Sequence, residues 1–268
     1  LGTRLESLSL LPKEKKNKSF RAVLITIAIC LALVIVFTIL KQVSIHPSVI
    51  PEITASPIPS SSTTSSQTAA EQLVIFDDEN LEISIREQIG IPDDDITIDE
   101  VSGIKSLDLH GREISSINAL KYFSSLEILD LSQNNISDIN ALRGLGNLVQ
   151  LDFTHNEVSD IRALENMTKL TGLYGAYNRI SNIESLAQMT SLKHLELSYN
   201  YISDMSALAD LAELVWLKLN NNNISSIKAL SELTHLQTLF LDGNPINDFS
   251  PVIGVYDQLT DKDFSIKR

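Results

Sequence analysis

The chain has 268 residues and a formal charge of −13, and that charge is unevenly placed. Residues 1–43 hold seven Lys or Arg against two Asp or Glu, a local +5, which leaves −18 on everything after them. So acidic a remainder argues against a nucleic-acid partner, whose phosphates need a basic surface, and the single cysteine, Cys30, excludes an internal disulfide framework or a multi-Cys zinc site.

In chain order, residues 1–21 read as a basic tail. Ala22 to Leu40 follows as 19 uncharged, mostly apolar residues, close to the length a helix needs to cross a bilayer. Lys13, Lys15, Lys16, Lys18 and Arg21 precede it. That bias predicts one transmembrane helix in the plasma membrane, with a cytoplasmic N-terminus and the remainder outside. Residues 41–70 read as a disordered spacer: 16 of the 27 residues from Ser44 to Ala70 are Ser, Thr or Pro, too few apolar groups to fold.

Residues 71–103 predict a cap. Asp77, Asp78, Glu79 and Asn80 stand before Leu81, Ile85 and Ile89, and Gly90 closes the run. Acidic residues at the start, an apolar face and a glycine stop describe a short amphipathic helix. Asp93, Asp94 and Asp95 do not fit a calcium loop, because its glycine and distal glutamate are misplaced. They read as a solvated turn leading into a short strand, Ile96-Thr97-Ile98.

From Ile104 to Asp257 one 22-residue phrase is written seven times, and residues 258–268 read as a closing cap. Counting from Ile104, Leu126, Leu148, Leu170, Leu192, Leu214 and Leu236, positions 1, 4, 6, 11, 14, 17 and 20 are apolar with one exception, Gly175. Spacing of two around positions 3 to 7 is the period of a strand, and spacing of three after position 11 suits a 3₁₀ turn. Ser-Asp pairs such as Ser137-Asp138, Ser159-Asp160 and Ser203-Asp204 stand where short oxygen side chains accept from orphan amides. The fold class is therefore α/β: a solenoid with a curved parallel β-sheet on its concave side, short 3₁₀ or helical returns on its convex side, and a helical N-terminal cap. Gly175 follows Phe153 at the same position of the preceding unit, which predicts that the large ring fills the space the missing side chain leaves.

Position 9 reads Arg112, then Asn134, Asn156, Asn178, Asn200, Asn222 and Asn244. An amide repeated at one depth predicts a structural ladder that satisfies backbone groups in the bends. The whole pattern, LxxLxLxxNxIxxIxxLxxLxx, resembles the leucine-rich repeats of bacterial internalin-like proteins over residues 104–257, and the stretch from Phe76 to Ile104 resembles their helical cap. The resemblance implies an extracellular protein that recognises a partner.

Residues at positions 3, 5 and 7 alternate away from the core, and positions 8 and 10 extend that surface. Seven strands at about 4.8 Å make a platform roughly 34 Å long, suited to a macromolecule. The candidate binding residues fall in two regions. Asp108, Asp130 and Asp152 form an acidic column, whose neighbours repel by roughly 0.8 kcal/mol per pair even in water; such a column points to a basic partner or a cation. Tyr174, Tyr177, His194, Tyr199, Tyr201, Trp216 and Phe240 form an aromatic region, with Glu196 and Lys218 among them. The partner is foremost a protein, with a cell-envelope glycan or a sensed ligand of a signalling complex as alternatives. No catalytic group, cofactor or metal site is expected, since His46, His110, His155, His194 and His235 join no recognisable catalytic motif.

Overall fold

The computed structural model describes residues 72–266. The basic tail, the apolar run and the spacer expected over 1–70 lie outside them.

The N-terminal cap opens with α1, Glu79–Ile89. Asp78 caps it and Gly90 ends it in the left-handed region, φ 76°, as a glycine just past a helix commonly does. Leu81 and Ile85 are fully buried. The predicted strand at 96–98 is replaced. Thr97 forms a single antiparallel bridge with Leu73 and then caps a second helix, α2, Ile98–Ser102. Thr97 and Glu100 bond each other's backbone reciprocally, a capping box that outweighs the short apolar alternation.

Eight strands follow, all parallel and in chain order: β1 (Ser106–Asp108), β2 (Ile128–Asp130), β3 (Gln150–Asp152), β4 (Gly172–Tyr174), β5 (His194–Glu196), β6 (Trp216–Lys218), β7 (Thr238–Phe240) and β8 (Asp261–Lys262). Like positions pair with like, as in Leu107–Leu129–Leu151–Leu173. A 3₁₀ turn returns the chain after each of β1 to β7, from Asn118–Tyr122 to Ser250–Val252. At its entry a short oxygen side chain accepts from the amide two residues on: Asp138 from Asn140 at 2.7 Å, Asp160 from Arg162 at 2.9 Å, Asp204 from Ser206 at 2.8 Å. The core is the stack of leucines and isoleucines between sheet and turns, nearly all fully buried.

The Asn column is a ladder. Asn200 Nδ2 donates to the carbonyls of Gly175 (3.0 Å), Leu197 (3.1 Å) and Ser198 (3.3 Å), and its Oδ1 accepts from the Ile180 amide at 2.9 Å. Asn134, Asn156, Asn178 and Asn222 repeat that set, and Asn244 bonds Leu219, Leu241 and Ile224. Arg112 breaks the column beside the cap, where its guanidinium pairs with Glu87 of α1 at 3.0 Å.

Both open ends are closed by side chains. At the first, Gln88 of α1 bonds both backbone groups of Asp108, which protects the edge of β1. Asp78 accepts from the amides of Leu81 (3.0 Å), Ser115 (2.8 Å) and Ser116 (3.0 Å). Burial works against its ionisation, but these amides outweigh it and hold the carboxyl below the usual range. Asp78→Ala is expected to cost about 1–2 kcal/mol at pH 7 in chemical denaturation. A depressed folded pKa gives stability above the unfolded value that is lost as pH falls through the folded one. The difference from wild type therefore shrinks below about pH 4; an unchanged difference there would count against this role. At the second end, Asp263 accepts from the amides of Leu241 (2.8 Å) and Asp242 (2.9 Å) and from the Asn220 side chain.

No helix among the described residues is long and apolar enough to cross a membrane, so the transmembrane helix drops out of the fold class and the single-pass plasma-membrane location is not retained. The apolar segment 22–40, on which both rested, is outside the described residues.

Candidate functional site

The solvent-facing side of the sheet carries two rows. The position-5 row runs Asp108, Asp130, Asp152, Tyr174, Glu196, Lys218, Phe240 in direct register across β1 to β7. The position-3 row includes Gln150, Gly172, His194 and Trp216.

The acidic column is as placed from sequence, and each member also shapes the chain. Asp108, Asp130 and Asp152 accept from the amides of His110, Ser132 and Thr154 at 3.2, 2.9 and 2.8 Å. None of the three has an ion-pair partner among the described residues. Burial, then the charge of Asp130, pushes the Asp152 carboxyl up to about 6. That value lies above the unfolded one, so the group's contribution to stability falls as pH rises from about 4 to about 6. Asp152→Asn keeps the acceptor for Thr154 and removes the charge. It is expected to stabilise the fold by about 1–3 kcal/mol at pH 7 and by nothing below pH 4; equal stabilities at pH 7 would show that the carboxylate is comfortably solvated.

A connection unseen in the sequence lies beside the column. His110 Nδ1 is 2.8 Å from Ser132 Oγ, which also bonds Asp130 Oδ1. These are the residue types of a hydrolase, but the hydroxyl is engaged by the carboxylate and Ser132 is buried. The trio offers no exposed nucleophile to a substrate.

The aromatic residues form two groups. On the floor, Trp216 lies 6.3 Å from Tyr174 and 6.3 Å from His194, edge-on to the latter. Tyr174 folds over Gly172, where a Cβ would come within 3.2 Å of its ring. Lys218 Nζ sits 4.4 Å over Trp216, 5.3 Å over Phe240 and 3.9 Å from Glu196, which makes a cation–π seat occupied by the chain itself. Burial pushes the Glu196 carboxyl up against the pull of Lys218, and burial with Lys193 pushes the His194 imidazole down.

On the rim, His155, Tyr177 and Tyr199 are stacked in parallel, with centroids 4.1 and 4.2 Å apart and planes 9° and 10° from parallel. Partial burial and the hydrogen bond with Tyr199 push the Tyr177 phenol up. All three occupy position 8, where the backbone is left-handed in every unit: φ is 63° at Gly111, 56° at Gln133, 55° at His155, 55° at Tyr177, 56° at Tyr199, 54° at Asn221 and 73° at Gly243. Bulky residues are disfavoured there by roughly 1–2 kcal/mol each. His155 is the first plate of this stack. Tyr201, 58% exposed, stands one strand edge away and stacks on none of the other rings among the described residues.

The coils match family models described as leucine-rich repeat over residues 102–158 and 188–209, and as two leucine-rich-repeat copies over 213–254. These coils are similar to leucine-rich repeats. None of the matching models describes a catalytic family. The leucine-rich-repeat domain resembles internalin C2 of Listeria monocytogenes, with 26% identity, TM-score 0.60, 74% of this chain and 100% of that one covered. It is similar to a leucine-rich-repeat protein of Leptospira interrogans at 26% identity and TM-score 0.58, over 63% of this chain and 44% of that one. It shares the fold of the ectodomain of the plant membrane receptor kinase GASSHO1/SCHENGEN3 from Arabidopsis thaliana, at 24% identity and TM-score 0.51, over 56% of this chain and 20% of that one. That ectodomain was solved bound to Casparian strip integrity factor 2. No curated protein matches the chain in sequence. The leucine-rich-repeat fold commonly serves protein–protein recognition, without catalysis.

Proposed function

We propose that this leucine-rich-repeat protein recognises another protein non-covalently through the concave, solvent-facing side of its sheet. The observation that carries the reading is the rim stack. Tyr177 and Tyr199 are 43% and 45% exposed, and they hold a left-handed backbone that the units outside the stack fill with Gly, Gln or Asn. Exposed rings in a strained conformation lower stability twice over, and such strain concentrates where a ligand is met. The floor adds Tyr174, Trp216, Phe240 and the Glu196–Lys218 pair to the same face.

The glycan alternative fits the geometry less well. A sugar stacks on an open ring face, whereas Tyr177 is covered on both faces by His155 and Tyr199 and Lys218 lies over Trp216.

A photo-reactive benzoylphenylalanine at position 201, on the rim, and at position 206, on the turn side, tests the reading in cell extract. Protein adducts are expected from position 201 only, and the double variant Tyr177→Asn/Tyr199→Asn reduces them about tenfold. Asn tolerates the left-handed backbone, so the variant's thermal midpoint stays level or rises. Adducts from position 206 alone, or adducts indifferent to the double variant, would overturn the assignment. Trp216→Ala is a poorer probe, because Trp216 is partly buried beneath Lys218 and its loss removes packing as well.

A further inference from the structure

Resting on the recognition reading above, we infer that the partner presents a basic, extended segment, which lies across β1 to β5 with its cationic side chains between the acidic row and the rim stack. Three independent observations converge on that chemistry.

The first is charge. Asp108, Asp130 and Asp152 stand side by side with no ion-pair partner among the described residues. A neutral or acidic segment laid here leaves those carboxylates desolvated and uncompensated, whereas a basic one neutralises them.

The second is the seat that the chain has built for its own lysine. Lys218 rests on two aromatic rings with Glu196 alongside. The same pairing of carboxylate with aromatic ring recurs toward the other end of the face, where Asp152 stands in register between Asp130 and Tyr174, and no Lys or Arg of the described residues bonds either carboxylate. What Lys218 does for Glu196 a partner's Lys or Arg does for this end.

The third is an unused acceptor. Gln150 Oε1 is buried and has no hydrogen-bond partner among the described residues. Gln150 is two residues before Asp152 on β3 and so faces the same side. An acceptor beside three carboxylates calls for a ligand rich in N–H donors, as guanidinium and ammonium groups are. The dimensions agree with an extended chain: β1 to β5 is four strand steps, about 19 Å, which about six residues of extended peptide cover.

The test uses two labelled probes, the peptide Arg-Ser-Arg-Ser-Arg-Ser-Arg and its counterpart with Glu for Arg, titrated against the 268-residue chain by fluorescence anisotropy. The basic probe is expected to bind, more weakly as salt rises, and the acidic probe to show no binding. Asp130→Asn/Asp152→Asn is expected to weaken the basic probe about tenfold. Asp204→Asn/Asp210→Asn removes the same charge from the turn side and leaves binding unchanged. Asn keeps the turn-forming acceptors, and a thermal melt of each variant verifies folding. Equal binding of the two probes, or equal losses from the two double variants, would overturn the inference. If the basic probe fails while variant-sensitive cross-linking at position 201 persists, recognition stands and only the basic partner is lost; if both fail, the recognition reading falls with it.

Discussion

Gly175→Leu is expected to lower stability by about 3 kcal/mol, and Phe153→Leu in the same chain to restore most of it. Gly175 is at position 6, where neighbouring coils place Leu131, Phe153 and Leu197, all fully buried. A Cβ added there would lie 2.5 Å from Phe153 Cζ, 2.7 Å from its Cε2 and 3.1 Å from Leu197 Cδ2. Phe153 is enclosed and has nowhere to swing. The glycine is not a bulge, since its amide keeps the regular ladder bond to the Glu196 carbonyl at 2.8 Å. Phe153→Leu alone opens a cavity, at a cost of about 1–2 kcal/mol. The double variant rebuilds the leucine layer that the other coils have. Urea denaturation of the four proteins should therefore show a coupling of about 3 kcal/mol. Additive losses would mean that ring and glycine are neighbours without being complements.

That pairing was legible in the sequence because two exceptions fell in one column of a strict repeat. The strands, the turns and the Asn ladder were legible for the same reason: each is decided by a spacing repeated seven times. Features that depend on a single instance were not. Ile96-Thr97-Ile98 alternates like a strand, yet Thr97 and Glu100, three apart, decide for a helix. Strand β8, Asp261–Lys262, is two polar residues long and so carries no apolar alternation. The rim stack was hidden for a different reason. Nothing in His155, Tyr177 or Tyr199 advertises a left-handed backbone; the bend forced by the ladder on one side and the strand on the other imposes it. The aromatic residues were found as candidates, but their division into a covered floor and an exposed rim follows from where the chain bends.

The ladder itself makes the other large prediction. Asn200→Ala is expected to cost about 3–4 kcal/mol, although the residue belongs neither to the apolar columns nor to the aromatic groups. Asn200 is 5% exposed, so what it leaves behind has no water to turn to. The carbonyls of Gly175 and Leu197 each keep a second donor, from Asn178 at 3.2 Å and Asn222 at 2.9 Å. The Ile180 amide has only Asn200 Oδ1, at 2.9 Å, and is orphaned in a buried bend. An unsatisfied buried amide costs about 1–3 kcal/mol, and the lost bonds add about 1 kcal/mol each. Asn200→Asp separates the two halves of the amide's work. It keeps an oxygen for Ile180 but turns a carboxylate toward the three carbonyls that Nδ2 had served. At pH 7 it should be at least as damaging as Ala, and it should recover partly at low pH, when a protonated acid donates again. Because each coil leans only on its neighbours, the defect should also split unfolding into two phases, one for the coils on either side. A mild Asp variant at pH 7 would show that the acceptor alone holds the bend, and that the ladder's donors are dispensable.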